Sequence, residues 1–225
     1  MKVVILAGGL GTRLSEYTKV IPKPMIKINK KPIISHIIDH YSKFGLKEFY
    51  IATGYKGKII KDYFKGRFKN KKINIIDTGQ KTMTGGRLKR LKPFLNETFL
   101  MTYGDGVSNI NIRSLINYHK KKKKLATITA VRPPARFGAL KIKNGKVIYF
   151  KEKSKLDESW INGGFFVLEP EFLNYIKGDQ TFLEREPLEK ACQKKQLNAF
   201  IHKGFWQCMD TKRDKDYLEK ILRRK

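Results

Sequence analysis

The chain has 225 residues, of which 40% are hydrophobic and 12% aromatic, values typical of a globular protein rather than a disordered one. This length suits one sizeable α/β domain, and no apolar run reaches the roughly 18–20 residues that span a bilayer. Its first apolar segment runs into glycines and not into a signal-peptide cleavage site. Two cysteines make no disulfide framework, so we expect a cytoplasmic protein without membrane association.

The formal net charge of +29 raises the question of nucleic-acid binding. The 49 basic residues are mostly lysine and are spread along the whole chain. Faces that bind nucleic acid favour arginine clustered beside aromatic side chains. We therefore expect no nucleic-acid partner, and we interpret the dense run Lys120–Lys124 as the solvated end of a helix.

Apolar runs alternate with amphipathic segments along the chain, as they do in βαβ units. In chain order, strands are predicted over 3–7, 49–52, 73–76, 99–103 and 125–131, and helices over 32–44, 58–64, 86–91 and 112–119. Beyond residue 133 the pattern predicts a hairpin around Asn144-Gly145, a strand over 162–168 and a charged helix over 212–224. We expect a single α/β, Rossmann-like domain with a mainly parallel mixed sheet flanked by helices.

The first predicted strand ends abruptly in the glycine cluster 8–11, which Thr12 and Arg13 follow. A buried parallel strand that ends in glycines delivers backbone N–H groups to a bound anion. Arg13 and Lys23 add positive charge beside this loop, and two flanking prolines restrict the backbone of Lys23. The pattern indicates a polyphosphate site and hence nucleotide chemistry.

This loop matches neither of the two commonest nucleotide-binding motifs. A dinucleotide-binding loop has a third glycine where this chain has Leu14, and an acidic residue about 20 positions on, where Lys30 and Lys31 stand. A P-loop would continue into Gly-Lys-Ser or Gly-Lys-Thr, which is missing after residue 11.

The loop A-G-G-x-G-T-R-L followed by P-K-P resembles the sugar-phosphate nucleotidyltransferases, the pyrophosphorylases that make nucleotide sugars. Further matching segments, in order, are Gly54-Tyr55-Lys56-Gly57, Asp77-Thr78-Gly79, 83–90, Tyr103-Gly104-Asp105-Gly106, 136–140, 161–166, Gly204-Phe205-Trp206 and Met209-Asp210-Thr211. The resemblance runs nearly end to end and is greatest to the cytidylyltransferases that act on glucose 1-phosphate. It implies a nucleotide-binding half over about 1–132 and a sugar-binding half with a carboxy-terminal helix over about 133–225.

The resemblance implies transfer of a cytidylyl group from CTP to glucose 1-phosphate with Mg²⁺, giving CDP-glucose and pyrophosphate. Relatives of this kind are often multimeric, which leaves a homo-oligomer open. Two alternatives stay open within and beyond this class: a nucleotidyltransferase that uses dTTP, UTP or another sugar phosphate, and a non-catalytic protein that binds nucleotide sugars or nucleic acid. Two departures from the family pattern are the short bridge 67–72 and Ser154, which replaces a proline.

The resemblance also assigns roles to individual residues. Asp105 and Asp210 are candidate metal ligands, although a turn residue and a helix cap are the ordinary interpretations of the two positions. Arg13 is assigned to the β- and γ-phosphates, Lys23 to the α-phosphate and Lys153 to the phosphate of the sugar, and these three with Asp105 form the predicted catalytic set. The predicted nucleotide-binding residues are Leu6, Ala7, Gly8, Gly9, Gly11, Thr12, Arg13, Lys23, Thr84, Arg87, Tyr103 and Gly104, and the predicted sugar-phosphate-binding residues are Gly138, Glu152, Lys153, Asn162 and Gly163. The two glycines before Arg87 are expected to admit a ligand close to the backbone.

Overall fold

A computed structural model of the chain describes residues 1–134, 139–151 and 159–223. The strands in these ranges are β1 (Val3–Leu6), β2 (Lys27–Ile28), β3 (Lys31–Pro32), β4 (Glu48–Thr53), β5 (Lys72–Asp77), β6 (Phe99–Tyr103), β7 (Gly106–Ser108), β8 (Ala126–Val131), β9 (Ala139–Lys143), β10 (Lys146–Lys151), β11 (Ile161–Leu168), β12 (Leu197–Ile201) and β13 (Trp206–Cys208). The α-helices are α1 (Ser15–Thr18), α2 (Ile33–Ser42), α3 (Gly57–Phe64), α4 (Thr84–Arg90), α5 (Ile112–Lys122), α6 (Glu186–Gln193) and α7 (Lys212–Arg223). Short 3₁₀ helices cover Thr12–Leu14, Lys23–Met25, Lys92–Phe94 and Pro170–Tyr175.

Seven strands form one mixed sheet in the order β12-β8-β11-β6-β1-β4-β5. Strand β11 runs antiparallel to both of its neighbours, β6 and β8, and the other neighbouring pairs of this sheet are parallel. The expected α/β domain with a mainly parallel mixed sheet is therefore confirmed. Strand β11 lies between two strands from the first predicted half of the chain, so both halves share one sheet. The division into a nucleotide half and a sugar half stays a prediction.

Helices cover both faces of this sheet, and the central strand β1 shows why. Its side chains alternate between the two hydrophobic cores, with Val3 and Ile5 in one and Val4 and Leu6 in the other, and all four are buried. The first core includes residues of α2, α3, α5 and α7, and the second includes residues of α4 and α6. A strand buried on both faces reads as a continuous apolar run, which is how the sequence predicted it.

The elements predicted beyond residue 133 are present where the structure describes them. Strands β9 and β10 form the expected antiparallel hairpin, and its turn residues Asn144 and Gly145 have φ angles of 48° and 76°. The sequence analysis did not predict α6 and β12, nor the short strands β2, β3, β7 and β13. Strands of two or three residues are too short to show any periodicity. None of the helices in the described part of the chain combines the length and the apolar character needed to cross a membrane.

The paired glycines at the start of α4 pack against the chain's own backbone. The N–H of Gly85 donates to the carbonyl of Thr181 at 2.9 Å. A Cβ on Gly86 would overlap the backbone of Asp179, and one on Gly85 would lie 2.7 Å from the Thr181 oxygen. The expectation that these glycines admit a ligand is wrong, because the segment 179–183 fills the space beside them.

Replacing Gly86 with alanine is expected to destabilise the protein, although alanine is the better helix former by about 1 kcal/mol. The new methyl group would force α4 away from the Asp179 backbone, and we expect a net loss of about 2 kcal/mol in the free energy of unfolding. Urea denaturation measures the difference. Gly178→Ala is the matched control, since no atom lies within 4 Å of a Cβ at that position. Equal stability of the two variants would contradict the packing argument.

Candidate functional site

A pocket of about 310 Å³ lies at the carboxyl ends of β1 and β6. This edge of a parallel sheet is where open α/β folds bind ligands. The residues lining it include Asp105 and every predicted nucleotide-binding residue, namely Leu6, Ala7, Gly8, Gly9, Gly11, Thr12, Arg13, Lys23, Thr84, Arg87, Tyr103 and Gly104. Four further lining residues, Pro24, Thr82, Met83 and Phe182, were not predicted.

In the glycine loop after β1, Gly11 and Gly9 have different structural roles. Gly11 has a φ of +66°, in the left-handed region, and a Cβ there would meet the side chains of Thr18 and Lys23. Its carbonyl accepts the N–H of Leu14 at 3.0 Å, which closes the first 3₁₀ turn. Gly9, in contrast, has open space where a Cβ would stand, so a ligand can approach its backbone closely.

The guanidinium group of Arg87 is buried and holds the loops behind the pocket together. It donates to the carbonyls of Gly8 (2.9 Å), Thr53 (2.9 Å), Gly79 (2.8 Å) and Gln80 (3.3 Å), and to the hydroxyl of Thr78 (2.8 Å). Burial lowers the pKa of Arg87. A Cβ on Gly8 would overlap this guanidinium, which explains the glycine. Direct contact between Arg87 and a nucleotide stays a prediction.

Two aspartates and two cations meet beside this loop. The Nζ of Lys23 lies 2.6 Å from Asp105 Oδ2 and 2.7 Å from Asp210 Oδ1. Arg13 Nη1 lies 2.7 Å from the other oxygen of Asp210. The Lys23 side chain is only 11% exposed, whereas that of Arg13 is 70% exposed. We call these four residues the charge cluster.

An antiparallel ribbon of β7 and β13 brings the two aspartates together across 105 residues of chain. Cys208 pairs with Gly106 in this ribbon, and the N–H of Met209 donates to the Asp105 carbonyl at 2.9 Å. Asp105 and Asp210 therefore flank the same end of the ribbon, where Lys23 reaches both of them.

All members of this cluster that show a pKa shift are held in their charged forms. Burial by itself would lower the pKa of Lys23, but the charges and hydrogen bonds of Asp105 and Asp210 outweigh burial and raise it. Burial would raise the pKa of Asp210, yet Lys23 and Arg13 outweigh it and lower the pKa. Burial, followed by Asp210 and the other nearby carboxylates, raises the thiol pKa of Cys208 to about 12. That thiol is therefore protonated near pH 7 and is a poor metal ligand.

Thr211, and not Asp210, caps helix α7. The Thr211 Oγ1 accepts the N–H of Asp214 at 3.2 Å, while the Asp214 carboxylate accepts the N–H of Thr211 at 2.9 Å. This reciprocal pair is a capping box. The side chain of Asp210 is thereby left to the charge cluster, and the alternative that it acts as the helix cap is wrong.

The charge cluster has the donors that a magnesium ion requires from a protein. Mg²⁺ is held by one or two carboxylates together with water and substrate phosphates. Asp105 and Asp210 are close enough for one ammonium group to contact both. The described residues contain no group of three or more His, Cys, Asp or Glu that could hold a metal alone, so phosphate or water oxygens would have to complete the coordination of any ion bound here.

The predicted sugar-binding residues either adjoin the pocket without lining it or lie outside the described residues, and the Asn162 side chain hydrogen-bonds to that of Tyr103, which lines the pocket. Asn162 and Gly163 lie in β11, where the Gly163 carbonyl accepts the indole N–H of Trp206 at 2.7 Å. The side-chain oxygen of Asn162 accepts the N–H of Gly164 at 2.8 Å. Gly138, Glu152 and Lys153 lie outside the described residues, and their roles stay predictions.

Glu184 is a residue of the site that the sequence analysis missed. Its carboxylate accepts the hydroxyl of Tyr103 at 2.6 Å and the hydroxyl of Thr84 at 2.6 Å, and both of those residues line the pocket. Burial raises the pKa of Tyr103 well above its usual value, and the charges of Glu184 and Asp105 add to the effect. In the sequence, Glu184 is one charge among many, so no local pattern marks it.

Comparison with known proteins identifies relatives along almost the whole chain. The family model described as "Nucleotidyl transferase" matches residues 2–222. The chain is 49% identical to the glucose-1-phosphate cytidylyltransferase of Salmonella typhimurium over 243 residues, which cover 97% of this chain and 95% of that protein. That alignment is longer than the chain itself, in line with a segment shortened here. The chain is also 32% identical to a D-glycero-alpha-D-manno-heptose 1-phosphate guanylyltransferase of Campylobacter jejuni, over 92% of this chain and 93% of that protein.

A solved structure agrees with the fold. The HddC protein of Yersinia pseudotuberculosis, complexed with GMP-PN, superposes with a TM-score of 0.79 at 25% sequence identity. The match covers 98% of this chain and 99% of that one. The mixed sheet and its helices are therefore shared with a protein crystallised with a guanine nucleotide analogue.

Replacing Arg87 with methionine is expected to lower the free energy of unfolding by about 3 kcal/mol, because the Gly79 and Gln80 carbonyls lose the donor that pairs them and a buried set of charged hydrogen bonds is removed. Arg90→Met is the matched control on the same helix. Its ion pair with Asp179 is about half exposed, so we expect Arg90→Met to lower the free energy of unfolding much less than Arg87→Met does. Chemical denaturation compares the two variants, and equal losses would contradict a special role for the buried arginine.

Proposed function

The chain belongs to the nucleotidyl transferase family, and we propose that it transfers the cytidylyl group of CTP to glucose 1-phosphate, giving CDP-glucose and pyrophosphate. The observation that carries this proposal is the charge cluster beside an open glycine loop, at the end of the sheet where such folds bind ligands. The choice of CTP and glucose 1-phosphate is supported by the 49% identity to a cytidylyltransferase with those substrates in its name.

The reaction requires charge neutralisation more than acid–base chemistry. An oxygen of the sugar phosphate attacks the α-phosphorus, a new P–O bond forms, and the bond from that phosphorus to the bridging oxygen of pyrophosphate breaks. The attacking phosphate is already anionic near pH 7, because phosphate monoesters lose their second proton at a pKa of about 6. No general base is needed, but an anion must approach a polyanion in line. Positioning and electrostatic stabilisation supply most of the catalysis in such transfers.

The cluster provides these effects at two places. Arg13 has an exposed side chain, and when the nucleotide binds it gives up its ion pair with Asp210. Its guanidinium group then pairs with the β- and γ-phosphates, beside the open backbone of Gly9. Lys23 is held by its buried backbone segment and moves its ammonium hydrogen bonds onto the α-phosphate. An immobilised ammonium at the reacting phosphorus stabilises the charge that develops there.

We further propose that Asp105 and Asp210 hold Mg²⁺ together with the triphosphate. When bound, the ion neutralises phosphate charge and polarises the reacting phosphoryl group. Without the ion, Lys23 Nζ contacts both carboxylates and helps to hold the pKa of Asp210 below its usual value, so both carboxylates have a cationic partner. A divalent ion between Asp105 and Asp210 would take the place of the Lys23 ammonium group, which would then be free to contact the nucleotide.

The sugar substrate is proposed to bind on the β11 side of the pocket. The resemblance assigns Lys153 to its phosphate and Gly138, Glu152, Asn162 and Gly163 to the sugar itself. Hydroxyl groups of a sugar need paired donors and acceptors, which an amide, a carboxylate and a bare backbone provide. We propose a cytoplasmic enzyme whose product feeds the synthesis of deoxysugars for surface polysaccharide.

Pyrophosphate release measured with Mg²⁺ and glucose 1-phosphate across CTP, UTP, dTTP, ATP and GTP tests the proposal. We expect release with CTP, and we expect Asp105→Asn to lower kcat by about 100-fold or more while the fold is retained. Asp216→Asn, on the exposed side of α7, is the matched control and should retain activity. The absence of pyrophosphate release with every nucleotide, or full activity of Asp105→Asn, would contradict the mechanism. Tight and steeply salt-dependent retention on DNA would instead favour the nucleic-acid alternative.

Replacing Lys153 with alanine is expected to raise the KM for glucose 1-phosphate by about 10-fold or more, with the KM for CTP changed by less than about twofold. The lysine is proposed to neutralise the phosphate of the sugar and to make no contact with the nucleotide. Steady-state kinetics with each substrate varied in turn separates the two effects. Lys155→Ala is the neighbouring control, and a loss of CTP affinity in Lys153→Ala would move this residue to the other subsite.

A further inference from the structure

We propose that Glu184 determines which base the pocket accepts, because it fixes the direction of the hydrogen bond that Thr84 can make. This inference rests on the proposed cytidylyl transfer and deepens it. Glu184 lies just before α6, about 100 positions from Thr84 in the chain, and its carboxylate oxygen accepts the Thr84 hydroxyl at 2.6 Å. Thr84 is the first residue of α4 and lines the pocket.

The hydrogen bonds that Thr84 already makes decide whether its hydroxyl can donate to a ligand or accept from one. A threonine hydroxyl has one hydrogen and two lone pairs. Its hydrogen is donated to Glu184, and one lone pair accepts the N–H of Leu183 at 2.9 Å. One lone pair remains, so towards the pocket Thr84 can accept a hydrogen bond and cannot donate one.

The position of Thr84 in the pocket suits the base and not the phosphates. The cations that line the pocket are Arg13, Lys23 and Arg87, and the donors of Arg87 are directed at backbone carbonyls and at the Thr78 hydroxyl. The wall formed by Thr82, Met83, Thr84 and Phe182 carries no charge. The triphosphate therefore lies against Arg13 and Lys23, which directs the base to the uncharged wall.

An acceptor on that wall discriminates among pyrimidines at the 4-position. Cytosine has an amino group there, which donates a hydrogen bond, whereas uracil and thymine have a carbonyl oxygen, which only accepts. The remaining lone pair of Thr84 pairs with the amino group and opposes the carbonyl. A buried polar group left without a partner is the strongest source of discrimination between similar substrates.

Tyr103 holds the carboxylate in place from its other side. Its hydroxyl donates to the second oxygen of Glu184 at 2.6 Å, while its ring packs edge-on against Phe166 at a centroid distance of 6.0 Å. With a donor on each oxygen, Glu184 keeps one orientation even though its side chain is exposed. Glu184 is therefore a positioning residue that acts through Thr84.

The test compares kcat/KM for CTP with kcat/KM for UTP in Glu184→Ala and Thr84→Val, each at saturating glucose 1-phosphate. Without Glu184 the Thr84 hydroxyl is free to turn and donate to a carbonyl, and without the hydroxyl the preference disappears. We expect the CTP/UTP ratio to fall by about 10-fold or more in both variants. Glu186→Ala, which removes a neighbouring carboxylate paired with Lys177, should keep the ratio within about twofold.

The ratio separates a role in base selection from a merely structural one. A structural role lowers both kcat/KM values together and leaves the ratio unchanged, which would overturn the inference. A higher ratio in Thr84→Val would also overturn it, because the hydroxyl would then face the N3 position, where uracil is the donor. If the wild-type protein shows no preference for CTP, the proposed function fails. If it prefers CTP and both variants keep that preference, the assignment of Glu184 alone fails.

Discussion

The buried guanidinium of Arg87 is the interaction on which the geometry of the pocket depends. It joins carbonyls at the carboxyl ends of three different strands: Gly8 just after β1, Thr53 at the end of β4 and Gly79 just after β5. Backbone carbonyls this deep need donors, since an unpaired one costs about 1–3 kcal/mol. Arg87 donates to all three, in addition to the Tyr55 N–H on Gly8 and the Thr78 N–H on Thr53, so the loops behind the pocket form one hydrogen-bonded unit that supports the glycine loop. The loop can then present its open backbone to an anion without collapsing.

The charge cluster places the reactive charged groups of the pocket beside the loops that Arg87 holds together. Lys23 is placed by a short 3₁₀ turn between two prolines, and the aspartates are placed by the ribbon of β7 and β13. Lys23 and Asp210 are largely buried, but the opposite charges of the cluster compensate one another, which the direction of the pKa shifts of Lys23 and Asp210 reflects. The arrangement keeps a strongly charged site stable in the absence of its polyanionic ligand.

The sequence predicted the sheet and most helices because these elements carry their signals locally. Strand β1 is apolar at every position, α2 repeats its apolar residues with the helical period, and Asn144-Gly145 marks a tight turn. The pocket lining followed from the glycine loop and the resemblance. Glu184 was missed, as were the β7–β13 ribbon and the true neighbours of Gly85 and Gly86. Each depends on partners about 100 residues away, which no window of sequence contains.

The long separation of Asp105 from Asp210 also bears on how the protein comes into being. During synthesis the glycine loop, Lys23 and Asp105 leave the ribosome early, but β11, which closes the middle of the sheet, and β13, which carries the second carboxylate, come late. Until then Asp105 and Lys23 form an incomplete set, and β6 and β8 lack the strand that lies between them. The charge cluster is therefore complete only after Asp210 has been synthesised, so a translation product that stops before this residue lacks the second carboxylate.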